Sequence, residues 1–142
     1  MKKILTLLFA ILTFTTVSQA QEQAFTVQGG YSWSMGMGGV AYQFNHLEIG
    51  AGIMPNSGAQ ITSYSTYLAL TKYKPDESGL YTSIGFASQG YHFTAPMGIV
   101  NLGYKIQSRY SGLNFKGEVG YGWCEYAKVF TYGITAGWTF GI

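Results

Sequence analysis

The closing segment of the chain, YGITAGWTFGI, alternates without a lapse. Tyr132, Ile134, Ala136, Trp138, Phe140 and Ile142 share one parity, and Gly133, Thr135, Gly137, Thr139 and Gly141 share the other. Successive side chains of a strand point to opposite faces, so this segment forms a strand with one large apolar face and one small, weakly polar face. The strands of a soluble sandwich carry charge on the face away from the core; this one carries none.

The same pattern repeats upstream, and following its parity predicts eight strands. Phe25, Val27, Tyr31 and Trp33 share one face of the first, opposite Thr26, Gln28, Gly30, Ser32 and Ser34. After the glycine-rich MGMGG the apolar parity changes to Val40, Tyr42 and Phe44, and across Asn45-His46 it changes again to Leu47, Ile49, Ala51 and Ile53. A two-residue connection between alternating runs reads as a hairpin. The fourth strand places Tyr64, Thr66, Leu68 and Leu70 opposite Ser63, Ser65, Tyr67 and Ala69, and the charged KYKPDESG turns the chain into a fifth with Leu80, Ile84 and Phe86 outward. Val100, Leu102, Tyr104 and Ile106 mark the sixth; Leu113, Phe115, Val119, Tyr121 and Trp123 mark the seventh. Connections are expected at 45–46, 72–79 and 107–112 on one side, and near 34–39, 55–60, 88–96 and 124–129 on the other.

Residues 1–20 stand apart. Lys2 and Lys3 precede the apolar ILTLLFAILTFTTV, and SQA follows with small residues where a signal peptidase reads, so a secretory signal peptide with a cut after Ala20 is expected. The run is shorter than a comfortable membrane-spanning helix, and the residue after the cut is Gln21, not a cysteine that could carry a lipid. Removing Lys2 and Lys3 from 8 basic and 6 acidic residues leaves six of each, which gives no electrostatic footprint for nucleic acid. Residues 21–142 fit one domain. The one cysteine, Cys124, has no internal partner for a disulfide. With 17% aromatic, 10% charged and 20 glycines, the composition is neither that of a disordered chain nor that of an ordinary soluble one. Within a bilayer, only a closed barrel satisfies the backbone of such strands.

A signal peptide, eight alternating strands with an apolar outer face and a last strand ending in WTFGI resemble the small eight-stranded outer-membrane β-barrel proteins of Gram-negative bacteria. The likeness is one of architecture and extends over residues 22–142. It implies an all-β, eight-stranded antiparallel up-and-down transmembrane barrel in the outer membrane, with strands of about ten residues and both ends on the periplasmic side. It further implies a monomer in contact with outer-membrane lipid and lipopolysaccharide, handled by periplasmic chaperones and by an assembly machinery that reads Trp138, Phe140 and Ile142. Phe140 has the parity of the family's terminal aromatic, and Ile142 departs from it.

In such a barrel the inward positions hold any chemistry. Glu48, Lys105, Lys116 and Glu118 fall there, and two charges of each sign are expected to pair, because an unpaired buried charge costs several kcal/mol or more. The leading reading is a side-chain plug, since about eight strands leave an interior just wide enough to fill. A narrow low-conductance pore is the alternative, favoured by inward Gly50, Gly52, Gly85, Gly103, Gly120 and Gly133, which leave space for water. A lipid-modifying enzyme would draw on Ser88, His92 and Glu125 at the outer rim, but His92 lies in GYHFTAP with no serine two residues on, and His46 lies at the opposite end. A soluble lipocalin-like or avidin-like carrier would require the apolar parity to face inward beneath a coat of Gly, Ser and Thr, a poor solubilising surface. Tyr31, Trp33, Tyr91, Trp123, Tyr126 and Trp138 gather near strand ends, as in the aromatic girdles at headgroup level. Cys124 reads as a shielded thiol, and no cofactor motif or metal-ligand spacing is present.

Overall fold

The computed structural model describes residues 23–34, 36–55, 62–88 and 96–141. The signal peptide, Tyr91, His92 and Ile142 lie outside these residues. Eight strands run in chain order: β1 Gln23–Ser32, β2 Gly36–Phe44, β3 Leu47–Pro55, β4 Thr62–Thr71, β5 Gly79–Ala87, β6 Met97–Gln107, β7 Leu113–Trp123 and β8 Lys128–Phe140. Each pairs antiparallel with the next, and β8 closes on β1, giving a closed up-and-down barrel with no helix among the described residues. The closing ladder runs from Phe25 opposite Phe140 to Ser32 opposite Gly133, so the last strand seals the sheet against the first. Closure leaves no sheet edge exposed.

Alternation decides which way each residue faces. β6 and β7 alternate strictly for most of their length, with Val100, Leu102, Tyr104 and Ile106 outside and Ile99, Asn101, Lys105 and Gln107 inside. The usual layering of a soluble protein is inverted: Ile134 is 74% exposed and Leu70 64%, whereas Glu48 is 2% and Lys105 1% exposed. Among the described residues, every outward-facing charged side chain sits in a connection or at a strand end: Lys72, Lys74, Asp76, Glu77, Arg109, Glu125 and Lys128.

Three strands differ from the sequence reading: β1 ends at Ser32, before Trp33 and Ser34, and β2 and β8 begin elsewhere than expected. β2 begins at Gly36, within the glycine run expected to be a loop, because Gly36 and Gly38 both lie opposite Ile53 and absorb a register shift. A further shift lies between Gly29 and Ser32 of β1, where Gly30 adopts φ 144° and its Cα lies against the Ile134 carbonyl, a place with no room for a side chain. β8 starts at Lys128, so the last connection is only 124–127. Asn45 takes the left-handed φ of 52° that lets Asn45-His46 act as a two-residue hairpin turn.

The barrel thus has a turn end, with connections 45–46, 72–78 and 108–112 beside both strand termini of the closing ladder, and a loop end, with connections 33–35, 56–61, 88–96 and 124–127.

Candidate functional site

The barrel interior is the candidate site, and its floor is made by glycines that accept aromatic rings. A side chain on Gly50 would collide with the Tyr67 ring, and one on Gly103 with the Tyr81 ring. Two of the inward glycines, Gly50 and Gly103, therefore do not leave the open space expected of them: Tyr67 from β4 and Tyr81 from β5 lie across them. A space of about 10 Å³ lies beside Gln28, Glu48, Lys116 and Glu118, about enough for one water molecule.

The four inward charges all lie inside as their parity requires, but only two of them pair. Lys116 Nζ stands 2.5 Å from Glu48 Oε1, with Lys116 6% and Glu48 2% exposed. The same carboxylate oxygen accepts the Tyr67 hydroxyl at 2.6 Å. Tyr67 is in turn approached by Gln28 Nε2 at 3.4 Å, and Gln28 Oε1 accepts from Thr135 at 3.3 Å. Lys116 also lies 5.7 Å from the centre of the Tyr81 ring.

Glu118 has no ion-pair partner among the described residues. Its Oε1 accepts hydrogen bonds from the hydroxyls of Ser32 and Ser34, the latter at 2.7 Å, and its Oε2 accepts from Tyr81 at 3.1 Å. Three hydroxyl donors stabilise the carboxylate in place of an ion pair. Lys105 is likewise held without a carboxylate: Nζ donates to the Pro75 carbonyl at 2.6 Å and lies 5.1 Å from the centre of the Tyr73 ring. The expectation that all four charges would pair is corrected here. Lys105 belongs to the turn end and reaches the 72–78 connection, while Glu118 lies where the end of β1 supplies Ser32 and the connection after it supplies Ser34.

Each end of the interior holds buried rings among the described residues. At the loop end Trp33, Ala87, Met97 and Ile99 form a buried apolar cluster, with Tyr31, Cys124 and Val129 packed against it. At the turn end Tyr73 is completely buried and meets Tyr81 edge-on at 6.5 Å. Burial, with the charge of Glu48, pushes the Tyr73 phenol far above its ordinary pKa, so it stays neutral.

Trp33 corrects the girdle assignment. β1 ends at Ser32, so the alternation that would have turned Trp33 outward no longer applies, and the turn folds the indole over the mouth. Tyr31 is half-buried and packs on Tyr132 with ring centres 5.6 Å apart. Trp123 and Tyr126 are exposed at the loop end, and Trp138 is exposed toward the turn end, opposite Val27 and Leu113. Phe140 is exposed beside Phe25.

Of the proposed rim residues, Ser88 and Glu125 lie within the described residues and His92 does not. Ser88 Oγ accepts the Tyr64 amide at 3.0 Å, Glu125 is exposed in the last connection, and His46 stands at the other end with Nδ1 3.1 Å from the Thr71 carbonyl. No group of three or more His, Cys, Asp or Glu side chains fit to hold a metal ion occurs among the described residues. The sequence reading missed Ser32, Ser34, Tyr67, Tyr73 and Tyr81 as members of the network. Parity already placed Tyr67 inward, whereas Tyr73 lies in a turn where parity says nothing. Comparison with family models, with curated proteins and with solved structures finds no match to this chain.

Proposed function

We propose that this chain is an integral outer-membrane β-barrel protein whose lumen is filled by its own side chains, with a structural or interaction role and no catalytic one. The observation that carries this reading is the inverted layering: an outer wall of large apolar side chains free of charge between the strand ends, around an interior of buried Glu, Lys, Gln, Asn, Ser and Thr. Water solvates such a wall poorly, whereas lipid matches it, and a closed barrel leaves no unpaired backbone edge in lipid. A soluble carrier of apolar ligands needs the opposite arrangement, an apolar interior with room for a guest. The exposed Trp123 and Tyr126 at one end and Trp138 toward the other suit the two headgroup levels of a bilayer.

The test is retention. Membranes from cells expressing the chain are washed with alkaline carbonate, and the protein stays in the pellet and migrates faster on a gel when unheated than when boiled. Release into the wash would overturn the membrane reading.

A further inference from the structure

The connection between β4 and β5 does more than join two strands. Residues 72–78 alternate between solvent and interior: Lys72, Lys74, Asp76 and Glu77 are exposed, while Tyr73 and Pro75 are buried. The other connections at the turn end leave their tips outside, with His46 exposed and Tyr110 99% exposed. The 72–78 segment instead places the Tyr73 ring in the mouth, against Tyr81 and across Gly79.

Its fastenings are few and specific. The Tyr73 carbonyl accepts from Gln43 Nε2 at 3.0 Å and from Thr71 Oγ1 at 2.9 Å, and Ser78 Oγ accepts the Gln107 amide at 2.8 Å. The Pro75 carbonyl receives Lys105 Nζ, the charged contact in the set. The Tyr73 hydroxyl has no hydrogen-bond partner among the described residues, so the ring blocks the mouth without being tied by its own phenol. A buried ammonium that rests on a carbonyl and an aromatic face, both supplied by one turn, is desolvated only while that turn is seated. Lys105 and the turn therefore stabilise each other's position.

We propose that residues 72–78 are a stopper latched by Lys105, and that unlatching opens the Glu48–Lys116 chamber to water and small ions from the turn end alone. The apolar cluster of Trp33, Ala87, Met97 and Ile99 keeps the loop end shut, so unlatching gives access without a through-path. This device goes beyond the membrane reading and holds for the barrel in detergent as well as in lipid.

The experiment measures reaction with a charged maleimide in a Cys124→Ala background. Tyr73→Cys is expected to react at least about tenfold more slowly than the exposed Lys74→Cys, and adding Lys105→Met is expected to remove most of that protection while adding Lys105→Arg keeps it. Because Tyr73→Cys itself removes the ring, amide exchange is followed in the chain carrying Lys105→Met alone. Exchange at Lys72 and Gln107 speeds up, and exchange in β7 and β8 does not. Equal reactivity of the two cysteines, no effect of Lys105→Met on either readout, or a general loss of protection across all strands would overturn the latch. A steady current through the Lys105→Met protein in planar bilayers would overturn the claim that one end alone opens.

Discussion

At the scale of single residues, the lumen is stabilised by satisfied charges and by rings on glycine. Glu48 is almost fully buried, and Lys116 is its one ion-pair partner among the described residues. Lys116→Ala leaves that carboxylate uncompensated and is expected to destabilise the barrel by about 3–5 kcal/mol, read by urea unfolding followed on unheated gels. Glu48→Gln combined with Lys116→Met removes both charges and is expected to lose much less than Lys116→Ala alone, because no buried ion is orphaned. Glycines give a second contrast. Gly103 has the Tyr81 ring where a Cβ would stand, so Gly103→Val is expected to cost about 1–3 kcal/mol or more through overpacking. Gly117 faces outward with nothing within 4 Å, and Gly117→Ala is expected to be neutral or slightly stabilising in the same unfolding assay.

At the scale of elements, strand faces were legible wherever alternation ran unbroken. The parity of β6, β7 and β8 put Lys105, Lys116 and Glu118 inside, and the closure of β8 on β1 follows the expected segments. Parity fails where a strand stops or shifts: Trp33 lies one residue past β1 and turns into the mouth, and Gly36 to Gly39 join β2 through a bulge. Partners within the lumen were less legible than faces, because whether Glu118 meets a lysine or two serines depends on register and on the path of the chain beyond Ser32. Tyr73 was illegible for a related reason, since a charged turn gives no sign that it folds inward. The closing strand carries its own prediction. Phe140 is outward-facing and paired with Phe25 at the turn end, so Phe140→Asp puts a charge on the outer wall within the terminal segment. If WTFGI is an assembly signal, Phe140→Asp is expected to lower the amount of heat-modifiable protein in the membrane severalfold, whereas Tyr110→Asp, at a fully exposed side chain of the β6–β7 connection, leaves it unchanged. Equal insertion of the two variants would remove that role from Phe140.

At the scale of the whole molecule, the barrel is a closed wall around a filled polar interior. The rings of Tyr67 and Tyr81 across the inward glycines, the apolar cluster at the loop end and Tyr73 at the turn end give the expectation of no steady conductance for the wild-type protein in planar bilayers. A reproducible current, altered by Lys116→Ala or Glu118→Ala, would favour a narrow pore through the charge network. Contact of the outer wall with lipid is tested directly by spin labels. With Cys124→Ala as background, cysteines replacing the outward-facing Ile84, Leu102 and Val119 are labelled and the protein is reconstituted in lipid bilayers. The labels are predicted to collide with oxygen, which concentrates in the bilayer core, and to be shielded from a water-soluble nickel chelate; the reverse order of accessibility at these three positions would show that the outer wall faces water and not lipid.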